Sequence, residues 1–524
     1  MIRLSKRPLI VTPNLDKEVP VKLSARRCLL GSFALFACVA QNTFAEVPKY
    51  AADVPDALIT PDAVQTDYLG KLGFFDGMPN DLTVQKAYDF LDTYRAVESF
   101  LSGMPAASIY GLLEGHRGIG MQPNDLGITE TLMDARSLWL TPQTTTPYAH
   151  AEIDVRSGPV VIENPGPVLG FIDDAFFLYV TDIGLAGPDK GKPFKYLLVG
   201  PDYTGETPEG YHVVRTNTYR HWFVVRLFVV DGDVAGTVDA FKKSIRIYPL
   251  AQADNPPEQR FFNLSGRQYN TIHASDKTFY DELNAVIQYE PANAFNPELV
   301  GLFASIGIKK GQPFAPDERM QKILTEGAAI ANAVARSIVY RPRSENVYFY
   351  PGERRWYSPL AGGSSEFLNN GERVLADRVF FHYYATGITP AMAKPKVGTG
   401  SVYAVAADDA KGRYLDGGKT YSVTLPGPVP AQNFWSFMVY SSQTRSILET
   451  DQKTGGVDSN SPDVKANDDG SFTVWFGPKA PAGKEGNWVQ TKPNTSYSCL
   501  LRLYSPLEPW FDKTWKPGDF ELMD

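Results

Sequence analysis

The segment from Tyr421 to Trp515 decides the fold class, and it contains the runs Asn433-Phe434-Trp435-Ser436, Asp469-Gly470-Ser471, Asn487-Trp488 and Arg502-Leu503-Tyr504. Five of the eight tryptophans of the chain fall within it. Short alternating apolar runs separated by Pro, Gly and Asn are typical of half-buried antiparallel strands joined by turns. The segment therefore predicts a β-sandwich.

A second region of the same character extends from Leu140 to Val230. Its β-rich runs are separated by Pro- and Gly-containing turns and lie at 159–162, 176–181, 195–199 and 221–227. Regular spacing of short strands with turn residues between them favours a further sandwich or barrel.

Helical periodicity dominates elsewhere. Apolar residues recur at helical spacing at 83–102, 233–247, 276–289, 297–306, 315–338 and 372–387. The first of these helices is predicted to end near Gly103, because Pro105 follows, and a short helix is predicted at 129–138. No repeat of 20 to 50 residues is present, which argues against a solenoid.

These patterns predict an α+β protein, mainly β, with two β-sandwich or jelly-roll-like domains joined by a helical middle layer. Its length of 524 residues is too great for a single core. The predicted parts are a signal peptide at 1–45, an extended and helical lead-in at 46–137, a β domain at 138–250, a helical linking region at 251–389 and a C-terminal β-sandwich at 390–524.

The N-terminus has the composition of an export signal. Basic residues, including Arg26 and Arg27, precede an apolar run at 28–40, and a small-residue cleavage site ends at Ala45. The run is shorter than the roughly 20 residues of a spanning helix, so we expect an exported, periplasmic or secreted protein without a transmembrane helix after signal removal. A twin-arginine signal and a lipoprotein signal with Cys38 are alternative routes.

Charge and cysteine content exclude several classes of function. The formal net charge is −8, and subtracting the +5 of the first 45 residues leaves −13 on the remainder. An acidic body repels phosphate backbones, so nucleic acid is not an expected partner. Of the three cysteines only Cys499 follows residue 45, which excludes an intrachain disulfide in the exported chain and indicates a buried structural thiol.

The chain resembles bacterial proteins that pair two regions of unknown function, DUF1254 and DUF1214. The first region is matched by Thr146-Pro147-Tyr148, Asp154, Ser157-Gly158-Pro159-Val160-Val161, Tyr196-Leu197-Leu198-Val199-Gly200-Pro201 and Arg226. The second is matched by Phe434-Trp435-Ser436, Tyr440, Thr444-Arg445, Asp469-Gly470-Ser471, Asn487-Trp488 and Arg502-Leu503-Tyr504-Ser505-Pro506. The resemblance implies two sandwich-like domains with helices between them and an exported location, but no reaction.

One departure from the relatives stands out. Many of them carry Asn-x-Asp-Thr before the tyrosine, where this chain has Gln143-Thr144-Thr145-Thr146. If that aspartate is a catalytic acid or a metal ligand in the relatives, this chain lacks it.

Three arginines are candidate ligand-binding residues. Arg226, Arg445 and Arg502 lie in apolar or aromatic surroundings, where an unpaired charge is costly. Each therefore needs either a structural partner or a ligand carboxylate, which the guanidinium fork holds with two parallel hydrogen bonds. Both interpretations stand at this stage.

The aromatic residues of the C-terminal segment also have two interpretations. Trp435, Tyr440 and Trp488 either line a ligand or carbohydrate groove or pack in the core of the sandwich. Because alternate residues of a strand face opposite sides, Phe434 and Trp435 are not expected to face the same core.

His382 and Asp377 form the candidate acid-base pair. A histidine oriented by a neighbouring carboxylate could move protons near neutral pH, and a capped surface or core histidine is the alternative. The six histidines include no metal-binding motif, and no nucleophile elbow or nucleotide-binding loop is present. No cofactor is predicted; calcium in the aspartate-rich loop 450–470 is the alternative to a simple hairpin turn.

Two hypotheses for function follow. The first is an exported, cofactor-independent hydrolase or lyase that acts on a small polar or carbohydrate-like substrate in a cleft between the two β domains. The second is a non-catalytic periplasmic ligand-binding or envelope-associated protein. A homo-oligomer is compatible with either.

Overall fold

The computed structural model describes residues 52–360 and 363–523. The predicted signal peptide at 1–45 lies outside these residues. The chain separates after Pro61 into two units, and residues 52–61 of the first contain one 3-10 turn, Asp56–Leu58. All elements that follow belong to the second unit, Asp62–Asp524.

The strands of the N-terminal half are β1 (Ala63–Thr66), β2 (Gly70–Phe75), β3 (Met78–Pro79), β4 (Leu126–Ile128), β5 (Ser137–Leu138), β6 (Tyr148–Asp154), β7 (Val160–Asn164), β8 (Val168–Asp174), β9 (Tyr179–Gly184), β10 (Phe194–Val199), β11 (His212–Arg215), β12 (Arg220–Leu227), β13 (Arg246–Pro249), β14 (Phe261–Asn263) and β15 (Tyr269–Asn270). Those of the C-terminal half are β16 (Leu368–Asn369), β17 (Glu372–Arg373), β18 (Ser401–Ala406), β19 (Tyr421–Leu425), β20 (Ala431–Ser441), β21 (Gly456–Asp458), β22 (Phe472–Gly477), β23 (Trp488–Gln490), β24 (Tyr497–Pro506) and β25 (Glu521–Leu522).

The α-helices are α1 (Asp81–Gly118), α2 (Val234–Ser244), α3 (Phe279–Tyr289), α4 (Pro297–Ser305), α5 (Glu318–Tyr340), α6 (Leu375–Tyr384), α7 (Pro390–Ala393) and α8 (Glu508–Phe511). None of the helices within 52–360 and 363–523 combines the length and apolar character needed to cross a membrane.

Two pairs of sheets confirm the α+β, mainly β prediction. The sheet β14-β4-β6-β12-β8-β9 faces the sheet β11-β10-β7-β13 across one apolar core. The sheet β18-β24-β20-β21 faces the sheet β23-β22-β19-β25 across another. Side-chain alternation sends one set of residues of β6, β12, β20 and β24 into these cores and leaves the other set on the outer sheet faces.

A third core joins these outer faces to the helices. It includes Trp222 and Val224 of β12, Met438 of β20, Leu500 of β24 and buried residues of α1, α3, α5 and α6. The helical layer predicted from periodicity therefore packs against both sandwiches through one continuous apolar cluster.

Three local predictions were wrong. Helix α1 does not end near Gly103 but continues through Pro105 to Gly118. Proline removes one N–H from the helix, at a cost of roughly 3 kcal/mol, but Phe100, Met104 and Ala107 are all completely buried in the third core. Burying each large apolar side chain contributes about 1.5–3 kcal/mol, which outweighs that loss.

The helix predicted at 129–138 is not formed. Thr129 instead pairs with β6, because its N–H donates to the Tyr148 carbonyl at 3.0 Å and its hydroxyl accepts from the Tyr148 N–H at 2.8 Å. Leu132 has a φ of +68°, which no α-helix tolerates. The strand predicted at 176–181 is also displaced, since residues 175–178 turn the chain between β8 and β9.

A close backbone contact fixes helix α1 against segment 270–273, and it yields a prediction. A Cβ atom added to Gly115 would lie 2.3 Å from the Asn270 carbonyl oxygen and 2.9 Å from its carbon. Since backbone cannot move as freely as a side chain, we expect Gly115→Ala to lower the free energy of unfolding by about 3 kcal/mol. Urea denaturation followed by circular dichroism measures this.

Gly301→Ala is the matched control, because Gly301 also lies within a helix and a Cβ there would meet nothing within 4 Å. Alanine should stabilise α4 by about 0.5–1 kcal/mol. Equal effects of the two substitutions would contradict the contact at Gly115.

Candidate functional site

Tyr148 and Arg226 occupy the outer face of the first sandwich. They are directly paired across β6 and β12, and the Arg226 Nε and Nη2 atoms donate to the Tyr148 hydroxyl at 3.1 and 3.0 Å. Both side chains are half-buried, so solvent reaches them. Tyr148 was known from the sequence only as part of the family resemblance.

Arg502 occupies the outer face of the second sandwich. Its Nη2 donates to the Thr141 carbonyl at 3.0 Å and less closely to the Pro142 carbonyl at 3.4 Å. The Tyr440 hydroxyl donates to the same Pro142 carbonyl at 2.6 Å. The loop before β6 is therefore held by side chains of β20 and β24.

The two arginines converge on one pair of tyrosines. The Arg226 guanidinium carbon lies 5.8 Å from the ring centre of Tyr504, and that of Arg502 lies 5.9 Å from the ring centre of Tyr403. Tyr403 and Tyr504 each raise the pKa of both arginines. We call Tyr148, Arg226, Tyr403, Arg502 and Tyr504 the arginine cluster.

Positive charge in the arginine cluster is not compensated. Among residues 52–360 and 363–523, no carboxylate lies in ion-pair contact with Arg226 or Arg502, and only tyrosines raise their pKa against the opposing effect of burial. Arg502 is 4% exposed, and its Nη1 has no hydrogen-bond partner in this part of the chain. A buried charged donor without a partner is costly, so the geometry favours a bound anion.

The loop that departs from the relatives borders the cluster. The hydroxyls of Thr145 and Tyr504 are 3.4 Å apart. The Gln143 side chain holds this loop, because its oxygen accepts from the N–H groups of Thr145 and Thr146. Thr145 therefore places a hydroxyl, rather than a carboxylate, beside Tyr504 of the cluster.

Arg445 does not join the cluster. Its Nε donates to the Tyr383 carbonyl at 3.2 Å and its Nη1 to the Gln443 carbonyl at 3.0 Å, while its guanidinium carbon lies 4.1 Å from the centre of the Tyr383 ring. Burial lowers the pKa of this arginine. These contacts match the structural interpretation, in which an arginine secures loops through backbone carbonyls.

Neither candidate tryptophan lies at the arginine cluster. Trp435 is 3% exposed in the core of the second sandwich, where its ring packs against Phe437 and Phe472. The half-buried Trp488 donates its Nε1 hydrogen to the Gly477 carbonyl at 2.8 Å. Phe434 instead faces outward and stacks on Tyr504, with ring centres 3.9 Å apart.

His382 and Asp377 both lie on α6, apart from the arginine cluster. The His382 ring is enclosed by Phe177, Phe367 and Phe381. Burial, with smaller contributions from Arg378 and His273, lowers its pKa to about 3. Asp377 is half-buried, and burial raises its pKa. An enclosed imidazole of such low basicity is a poor proton carrier at neutral pH.

Two aspartates of loop 450–470 accept hydrogen bonds from nearby backbone N–H groups. Asp469 accepts from the Ser471 N–H at 3.0 Å, and Asp458 accepts from the Asn460 N–H at 2.9 Å. Within the described ranges, no three His, Cys, Asp or Glu side chains are grouped as metal ligands. These hydrogen bonds are those of ordinary turns.

Tyr403 is the member of the cluster that sequence reasoning missed. It lies directly opposite Arg502 in the β18–β24 pairing. The alternation of residues 401–406 would have placed it on the same face as Val405, but nothing in the sequence pairs it with Arg502.

One solved structure of low sequence identity resembles this chain in fold alone. The crystal structure of the VPA0106 protein from Vibrio parahaemolyticus is 15% identical, with a TM-score of 0.51 over 83% of this chain and 100% of that chain. An uncharacterized protein from Burkholderia cenocepacia is 14% identical, with a TM-score of 0.36 over 84% of this chain and 96% of that one. No curated protein matches the chain.

Two family models match the sequence. The DUF1254 model, a protein of unknown function, matches residues 123–249, and the DUF1214 model, also of unknown function, matches residues 400–508. Arg226 lies within the first match and Arg502 within the second. The chain therefore carries a DUF1254 region followed by a DUF1214 region, the pairing that its resemblance predicted.

Proposed function

We propose that this protein binds a small organic anion, of the carboxylate class, at the arginine cluster. The observation that carries the proposal is that Arg226 and Arg502, one from each matched region, meet around Tyr403 and Tyr504 with no carboxylate partner in the described part of the chain. A planar guanidinium binds a carboxylate through two parallel hydrogen bonds, which are stronger than bonds between neutral groups.

The rest of the cluster favours a ligand with hydroxyl groups. The hydroxyls of Tyr148, Thr145 and Tyr504 lie beside the arginines. Each hydroxyl can both donate and accept a hydrogen bond. A hydroxy acid or a sugar acid therefore suits this set of donors and acceptors better than an apolar acid.

Binding without turnover is the form of the proposal that the geometry favours. A hydrolase or lyase needs a group that moves protons, and His382 and Asp377 lie elsewhere, with His382 enclosed by aromatic rings. The cofactor-independent enzyme remains the second hypothesis. Product analysis after long incubation with any bound acid separates the two, since a binding protein returns its ligand unchanged.

Thr145→Asp tests the proposal by supplying an internal carboxylate. The Thr145 hydroxyl is 3.4 Å from the Tyr504 hydroxyl, so an aspartate there reaches the cluster. We expect it to compete with the ligand and to weaken binding at least tenfold, as removal of a charged hydrogen bond of about 1.5–3 kcal/mol would do. A thermal-shift screen against hydroxy acids and sugar acids, followed by calorimetry, measures the affinity.

Thr145→Asn is the matched control, because asparagine has the same shape without the charge. It should leave the affinity within about threefold of the original value, and Arg226→Gln should weaken it at least tenfold. The exposed Arg343→Gln should change nothing. If Asp and Asn at 145 act alike, or if acids bind Arg226→Gln unchanged, the anion site is refuted.

A further inference from the structure

A second candidate site is acidic, in contrast to the arginine cluster. A pocket of about 320 Å³ is formed by helix α1, segment 268–272 and Glu282 of α3. This volume is at the lower end of ligand pockets, which suits a ligand of a few heavy atoms. Its polar lining includes Tyr110, Glu114, Tyr269 and Glu282, and it shares no residue with the arginine cluster.

Of the two glutamates that line the pocket, Glu282 is the one without a Lys or Arg partner among the described residues. Both of its oxygens accept from the single N–H of Ala274, at 3.0 and 3.1 Å. No Lys or Arg of the described residues is among the groups that stabilise its charge. Burial, reinforced by Asp276 and Asp281, raises its pKa to about 8, so the carboxyl group is largely protonated at pH 7.

The neighbouring cations are already paired. Arg117 contacts Glu114 at 2.6 Å and also binds Glu152, and Arg220 lies 3.5 Å from Glu152. Glu282 therefore holds its proton because burial disfavours its charged form and no cation of the described residues compensates for that burial. A ligand that supplies such a charge would release that proton.

Tyr110 shares this pocket with both carboxyl groups. Glu114 and Glu282 both raise the pKa of Tyr110, after the larger effect of burial and against Arg220 and Arg117. Aromatic faces beside carboxylates favour organic cations, which are attracted to both.

We propose that this pocket binds a small organic cation, of the alkylammonium or guanidinium class, between Glu282 and Tyr110. The cation forms a hydrogen-bonded ion pair with the Glu282 carboxylate, and the proton of that carboxyl group leaves to solvent. Glu114 stays paired with Arg117 and adds to the negative potential.

Calorimetry with putrescine, agmatine and tetramethylammonium tests the proposal. At pH 7, titration in phosphate and in Tris should reveal release of about one proton for each putrescine or agmatine bound, and this release should fall steadily as the pH is raised from 7 to 8.5. Tetramethylammonium, which has no N–H donor, should bind at least tenfold more weakly. No binding of either amine to the intact protein, or binding without proton release at pH 7, overturns the proposal.

Glu282→Gln keeps the shape of the side chain and its acceptor for Ala274. It should weaken amine binding at least tenfold and abolish proton release, and Tyr110→Leu should weaken binding several-fold without abolishing the release. Glu318→Gln, at an exposed glutamate on α5, is the control and should alter neither quantity. Amine binding that is unchanged in both Glu282→Gln and Tyr110→Leu would also overturn the proposal.

Discussion

Acidification below pH 5 is expected to unfold this protein steeply, whereas its stability should vary little between pH 7 and pH 5. The cause is a set of five histidines that are each at most 3% exposed: His116, His150, His221, His273 and His382. Burial lowers the pKa to about 3 for four of them and well below the ordinary value for His150.

The sign of the effect follows from proton binding. An unfolded histidine binds a proton below pH 6.5 or so, but these folded histidines do so only near pH 3, so the unfolded chain takes up more protons in between. Stability contributed by the neutral histidines is therefore present above pH 6.5 and is lost as the pH falls toward 3. Each contributes about 1.4 kcal/mol per pH unit in that window.

Buried carboxyl groups oppose this loss at first. Burial raises the pKa of Asp174 to about 6, of Glu290 to about 7 and of Glu282 to about 8, and it raises that of Asp173 well above the usual value. The folded protein keeps these protons where the unfolded chain has lost them, so acidification from pH 7 to pH 5 relieves a cost. Between about pH 5 and pH 4 the unfolded carboxyl groups become protonated as well, and below that pH the histidines act unopposed.

Guanidinium chloride denaturation between pH 7 and pH 3.5 measures this profile. The five histidines together lower the free energy of unfolding by roughly 7 kcal/mol for each pH unit. A fall of one pH unit therefore removes an amount comparable to the whole free energy of unfolding of a typical protein, about 5–15 kcal/mol. His382→Leu should reduce the slope below pH 5 by about 1 kcal/mol per pH unit. Stability that stays level down to pH 3.5 would mean that these histidines already carry a proton in the folded protein.

Trp435→Ala is expected to lower the free energy of unfolding by about 3–5 kcal/mol, because it leaves a large cavity in a packed core. Trp435 is 3% exposed, and its ring centre lies 5.2 Å from that of Phe472 and 5.9 Å from that of Phe437. Urea denaturation followed by circular dichroism measures the loss without depending on tryptophan fluorescence.

Phe434→Ala is the matched control, one residue away on the opposite face of β20. Phe434 is half-buried and stacks only on Tyr504 among the aromatic residues in the described part of the chain. We expect a loss of about 1 kcal/mol, with the main change in the affinity of the arginine cluster. A larger loss for Phe434→Ala than for Trp435→Ala would reverse the assignment of the two faces.

The sequence predicted the sheets better than the site, for physical reasons. Alternation at 433–440 is a local property, so strand β20 and the opposite orientation of Phe434 and Trp435 followed from it. Which face meets the core depends on the second sheet of the sandwich, and no local pattern encodes that. The continuation of α1 through Pro105 likewise depends on burial against distant helices, which outweighs local propensity.

The arginines were predicted only in part. The need of Arg226, Arg445 and Arg502 for partners followed from their apolar surroundings. Arg226 and Arg502 share one cluster only because β12 lies near β24 in the folded protein, whereas Arg445 has a structural role. No local pattern in the sequence encodes this arrangement. Glu282 was missed, because a glutamate on an amphipathic helix normally faces solvent and nothing in its spacing indicates otherwise.

The bond from Arg502 to Thr141 also constrains the order in which the molecule can form. The two residues are 361 positions apart in the chain, and the Thr141 N–H in turn donates to the Arg445 carbonyl at 2.9 Å. During synthesis the first sandwich can assemble as soon as β14 is made, but the backbone of Thr141 has to stay in contact with water until β20 and β24 exist. Closure of this loop is thus one of the last events in folding. Until then Arg226 lacks its neighbours from β24, and the incomplete arginine cluster is accessible to anions in solution.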